Sequence, residues 1–160
     1  MGQYYVIVNL DKQEFLNTYS FNDGAKLLEF GCSSEGTMTA LAVLLSDGNG
    51  RGGGDLHSEH PLIGSWAGDR IVISGDYADK EKFLQKDEIV KFMMIGEERA
   101  DEKPNLYVYA KKFFKDISEK VLEVILEDPY IYETYEKADL YGDAQKVFNN
   151  VKKKKAKKVA

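Results

Sequence analysis

Six lysines within seven positions (Lys152, Lys153, Lys154, Lys155, Lys157 and Lys158) are the densest single chemistry in this 160-residue chain. Ammonium groups crowded that closely repel one another and suit a partner that carries many negative charges. The run reads in three ways: a solubilising end, a nuclear-import signal of the K-K-K-K-x-K-K sort, or a contact for RNA phosphates. In the third case counterions are released, and six contacts make log affinity fall with log salt at a slope of about −4 to −5. Residues 1–151 carry 16 basic against 27 acidic groups, a net −11, so the body would oppose that attraction. The lysines would then anchor while the body meets protein, with Arg51 in a glycine-rich loop as a further cationic contact.

A small anion has a different candidate seat. In GCSSEGTMT (31–39) the glycines free the backbone, the N–H groups of a helix start favour negative charge, and Ser33, Ser34 and Thr37 add hydroxyl donors. Plain N-capping by those hydroxyls accounts for the same residues. Cys32 beside them is a candidate nucleophile, but no histidine is near it in sequence, and buried packing is the ordinary role of such a thiol. Asp69, Arg70 and Asp76 belong to two Gly-Asp pairs flanking an apolar run. Seven residues of strand put the two aspartates about 23 Å apart, too far for an acid–base pair. They read as recognition groups for a phosphorylated ligand or, more plainly, as turn caps with Arg70 balanced by an acid.

The loop DGNGRGGGD (47–55) contains a formal G-x-G-x-x-G at Gly48, Gly50 and Gly53. It follows a helix rather than a strand, so the dinucleotide fingerprint lacks its context. A calcium loop fails too, because Arg51 stands at a ligand position and no Glu stands twelfth. A mobile surface loop is the plainer reading. His57 and His60 form H-x-x-H, but zinc proteases need i, i+4 on a helix, and Pro61 pushes His60 towards extended geometry. No metal and no cofactor are expected.

The elements that must position these groups can be read from pattern. Tyr4–Leu10 is β-branched and aromatic and reads as a strand, with residues 11–24 as its hairpin partner or an exposed arm. Residues 25–30 are a helical turn or a strand. Residues 37–46 are apolar on every side and predict a buried helix. Arg70–Ser74 predicts a central strand between its Gly-Asp turns, and Glu88–Ile95 and Asn105–Ala110 predict two more. Residues 97–104 read as a polar loop. Asp116 with Glu119 starts one helix, and Asp128-Pro129 ends it and caps another, with Tyr130, Ile131, Tyr132 and Tyr135 as an aromatic face. Gly142 interrupts that second helix, which resumes at Ala144 towards the lysines.

Apolar content of 43% and aromatic content of 12% place the chain among globular proteins, with length for one core. No run approaches a membrane span, and MGQYYVIV is neither a secretory leader nor, with Val6, a myristoylation signal. A single cysteine excludes an internal disulfide and suits a reducing compartment, the cytoplasm or, if the lysines are an import signal, the nucleus. MGQYY with VNLDK, followed by GSWAGDRIVISGDYAD, resembles a family of small bacterial, phage and protist proteins of no established activity. The likeness covers roughly residues 1–80, with an echo at Lys115–Ser118. It implies no catalytic residues, and the lysine run lies outside its pattern.

The expectation is one α+β domain over residues 1–151, followed by a basic segment over 152–160. Its sheet is mainly antiparallel, of four or five strands, with one buried helix and two C-terminal helices. The expected function is non-catalytic docking on RNA in a ribosome-like particle, with protein partners and no membrane. A sensor or enzyme for a small phosphorylated ligand is the alternative. A protein-interaction module built on the tyrosines is the third.

Overall fold

The computed structural model describes residues 2–94 and 102–159. Strand β1 (Tyr5–Asn9) lies inside it, with Val6, Ile7, Val8 and Asn9 all buried. Successive strand side chains point to opposite faces, so a strand buried along its length needs cover on both. Its neighbours are β2 (Glu14–Leu16) and β3 (Ile71–Gly75), both antiparallel to it, with Ile7 opposite Leu16 on one side and Ile73 on the other. The two-residue β4 (Lys115–Asp116) adds in parallel beyond β2, giving the order β3-β1-β2-β4. The expected α+β class and four-stranded, mainly antiparallel sheet are therefore present.

One face of the sheet presents Ile7 and Leu16 to the larger core, which includes Phe21, Phe30 and Trp66. Over it lie α1 (Leu27–Gly31), α2 (Thr37–Leu45), α5 (Ser118–Ile125), α6 (Pro129–Lys137) and α7 (Gly142–Val159). Residues 25–30 thus end in a helical turn. Trp66 is fully buried, and its indole N–H donates to Glu14 at 2.8 Å. The opposite face carries Val6, Val8 and Phe15 against Leu106, Tyr109 and Ala110.

That second layer corrects two expectations. Residues 88–93 belong to α3 (Lys86–Met93), with Met94 as its C-cap, not to a strand; Ile95 lies outside the described residues. The Glu88 carboxylate reaches back to the Gln85 N–H at 2.9 Å, a local cap that outweighs the apolar run IVKFMM. Asn105–Ala110 is also not a strand: α4 (Leu106–Phe113) begins there, and the Asn105 side chain accepts from Val108 N at 3.0 Å. Leu106, Tyr109 and Ala110 follow at helical spacing, and burying them together requires the helix. The polar loop expected over 97–104 falls mostly outside the described residues.

Strand β3 is a third correction. Among the described residues it is an edge of the sheet, not a central strand, and Ile73 is 40% exposed. Its run is apolar because Val72 packs towards the α4 layer and Ile71 towards the larger core, not because a second strand covers it. The C-terminal helices follow their caps. Asp128 accepts from Ile131 N at 3.0 Å with Pro129 opening α6, and the second expected helix is divided at 138–141 into α6 and α7. The boundary expected at 151/152 falls inside α7.

Candidate functional site

The N-terminus of α2 has the donors of an anion seat, and the seat is taken. Asp23 reaches in from 14 residues away: one carboxylate oxygen accepts from Thr37 N at 2.7 Å and from the Thr37 hydroxyl at 2.6 Å. Gly36 makes room for it, since a Cβ there would stand 2.5 Å from the same carboxylate. Burial pushes the Asp23 carboxyl up from its ordinary value, against the pull of the Thr37 hydrogen bonds. Ser33 hydroxyl donates to the Phe30 carbonyl at 2.8 Å and takes a longer bond from Met38 N, while Ser34 is exposed. Capping by the local hydroxyls is thus mostly replaced by a carboxylate from another part of the chain. Cys32 is exposed, contrary to the buried role expected of it.

The glycine-rich loop repeats the device. The Gly50 and Arg51 N–H groups converge on one oxygen of Asp55, at 3.0 and 2.8 Å. Asn49 ties the loop's other side, donating to the Leu56 carbonyl and accepting from Leu56 N at 2.8 Å. The loop is therefore pinned from within rather than hanging free. No ion pair engages the Arg51 guanidinium among the described residues. His60 Nδ1 accepts from Leu62 N at 3.1 Å, a turn contact. Among the described residues no three His, Cys, Asp or Glu side chains gather as a metal site.

Asp69, Arg70 and Asp76 do not converge. They sit at the two ends of β3 and fasten it to its surroundings. Asp69 accepts from Asn9 and Lys12, and these bonds hold its carboxyl below the ordinary range. Arg70 grips Asp11, Nη2 to Oδ1 at 2.8 Å, and its own N–H donates to the same carboxylate; these bonds lower Asp11 likewise. Asp76 accepts from Tyr4 N at 2.9 Å. The GSWAGDRIVISGDYAD motif is thus a structural clamp: one buried indole, one edge strand and three carboxyl or guanidinium ties.

An open concavity lies on the other side of α2. The helix buries Thr37, Ala40, Leu41 and Leu44 but leaves Ala42 and Leu45 exposed, so it is not buried all round. Its free face and Ile131 floor a cleft of about 720 Å³, with Met38, Ala42 and Val43 on the helix side. Glu35, Asp55 and Asp128 stand round it, and none of its described lining residues is basic. Tyr130 closes one wall, its phenol raised above the ordinary value chiefly by the Glu35 carboxylate. Of the tyrosine face expected on α6, Ile131 and Tyr135 are spent inside the core, and the Tyr135 hydroxyl donates to the Phe21 carbonyl.

The lysines remain. Helix α7 is rooted by Ala144, Val147 and Phe148 in the larger core and runs on as one helix through the lysine run. Lys152, Lys153, Lys154, Lys155, Lys157 and Lys158 are all exposed. At 100° per residue they point to every side of the helix. Lys155 Nζ rests 3.6 Å from the Tyr132 ring centre, and Tyr132 in turn packs on Phe148 at 4.9 Å. Among the described residues none of the six lysines is in an ion pair. Cations at a helix C-terminus also complement its dipole, which offsets part of their mutual repulsion.

Sequence reading missed Asp23 and Asp55 as internal anions and missed the open face of α2. Asp55 had a local signal, an acid closing a glycine loop begun by Asn49. Asp23 had none. The chain matches no family model, no characterised protein and no solved structure in comparisons with each.

Proposed function

We propose that the protein docks on RNA, as part of a ribosome-like particle, through the lysine-bearing end of α7. The observation that carries this reading is the contrast in pairing. Both backbone anion cradles of the body are filled by its own carboxylates, whereas the six lysines of α7 have no anionic partner among the described residues. A rooted helix presents these charges without the ordering cost of a loose tail. Arg51 is a secondary contact from the pinned loop, and the acidic body faces protein. Filter binding of single-stranded RNA by the full chain, against a chain ending at Val151, tests it. The full chain should show a salt slope near −4. Equal affinity after truncation removes the reading.

The cleft beside α2 favours a second reading. Its apolar floor and acidic surround suit a ligand with an apolar body and a cationic head, and they disfavour the phosphorylated ligand that the sequence suggested. A thermal-shift screen of amines against nucleotides separates these. Stabilisation by nucleotides alone would restore the phosphorylated ligand.

A further inference from the structure

The two edges of the sheet are unlike. Edge β4 is two charged residues long, the usual protection against edge-to-edge pairing. Edge β3 is five residues, IVISG, with no strand on its outer side among the described residues. Its backbone parity follows from the bonds at its ends: Leu10 N donates to the Arg70 carbonyl, and Asp76 N donates to the Tyr4 carbonyl. Even-numbered residues therefore bond to β1, and the N–H and C=O groups of Ile71, Ile73 and Gly75 point outwards. The Gly75 carbonyl also accepts from Ala78 N. Beside this edge lies an open groove of about 430 Å³ that includes Ile73, Tyr77 and Phe83. Tyr77 and Phe83 are 73% and 50% exposed.

We propose that β3 pairs with β3 of a second copy of this chain, antiparallel about a two-fold axis at Ile73, joining the two sheets into one. The sequence round the strand is self-complementary about that residue. Ile71 falls opposite the second copy's Gly75 and Ile73 opposite its own counterpart, so outward donors meet outward acceptors on both strands. Arg70 falls opposite the second copy's Asp76, twice by symmetry. These are non-hydrogen-bonded positions, where opposed side chains lie closest. Moving the axis one residue either way keeps the hydrogen bonding but sets Arg70 against Ser74 or Ala78, so the charges select the register.

Both charged groups have capacity left. Arg70 is 70% exposed in its side chain and uses Nε and Nη2 on Asp11, which leaves further N–H donors. Asp76 uses Oδ1 on Tyr4 N and keeps its second oxygen. An Arg at one end of a strand and an Asp at the other, equidistant from its middle, suits a two-fold isologous contact, in which the same pair forms twice.

Light scattering of the full chain from low to high micromolar concentration tests the pairing. The apparent mass should double as concentration rises. Ile73→Pro should abolish the doubling, since it removes one outward N–H without touching the β1 ladder. Ile73→Lys on the same exposed site should do the same if the proline variant misfolds by circular dichroism. A chain ending at Val151 should still double, which separates this contact from the lysine helix. In a Cys32→Ser background, Ile73→Cys should cross-link to a dimer with a short bismaleimide, and Leu28→Cys on another exposed surface should not. A monomer throughout the range overturns the proposal, as does a dimer that survives Ile73→Lys or is lost on truncation.

Discussion

The N-terminus of α2 and the C-terminal half of α7 carry opposite kinds of local potential, and the molecule treats them differently. At α2 the backbone donors that would hold an anion are satisfied by Asp23, and the glycine loop nearby is satisfied by Asp55. At α7 six cations are displayed with no carboxylate drawn to them among the described residues, although the body has a large acidic excess. A donor buried without a partner costs folding energy, so the fold fills it. A solvated lysine costs almost nothing to leave unpaired, so it is free for a partner of higher charge density. Internal pairing thus marks the structural charges, and its absence marks the available ones.

The largest test of that contrast is removal of residues 152–160. RNA affinity at low salt should fall by about a thousandfold. Folding stability should change by less than about 1 kcal/mol, the scale of the lost Lys155–Tyr132 contact. Asp23→Ala should do the reverse. It leaves the Thr37 N–H and hydroxyl without their acceptor, at a cost of about 1–3 kcal/mol in chemical denaturation, with RNA affinity unchanged. Asp55→Ala should cost less, about 1 kcal/mol, because its donors lie where water can replace the carboxylate. If Asp55→Ala weakens RNA binding as strongly as truncation does, the division between structural and available charge fails.

The smallest effect is on pH dependence. The Asp23 carboxyl is raised in the folded chain by burial, so folding favours its protonated form. That contribution is fully present below the ordinary aspartate value of about 3.9 and is lost as pH climbs through it and through the raised folded value. Asp23→Asn keeps an acceptor for Thr37 N without the buried charge. Its melting temperature relative to the parent chain should therefore rise as pH increases through this window. A difference that stays flat from pH 3.5 to 7 would contradict the burial account of Asp23.

Legibility followed the range of the interaction. Strand β1, helix α2 and the Asp128-Pro129 cap were readable because each rests on residues within one or two turns of one another. The segments 88–94 and 105–110 misled because short apolar runs fit both periods, and caps at Glu88 and Asn105 decided between them. For the site, the lysines were legible as charge, and the Asp69, Arg70 and Asp76 turns were legible as ties. The cleft was not, since α2 is apolar on every side and composition cannot say which side is left open.

The sequence alone determined the segregation of charge, the position of the glycine-rich turns and the β-branched, aromatic run that makes β1 a strand. These depend on covalent order and local periodicity. Only the tertiary structure decided that Asp23 closes the α2 terminus, that the lysine run continues a rooted helix and that β3 is an edge. Each of those depends on which distant groups meet once both faces of β1 are covered, and a hydrogen bond or a missing neighbour across that distance leaves no periodic mark on the chain.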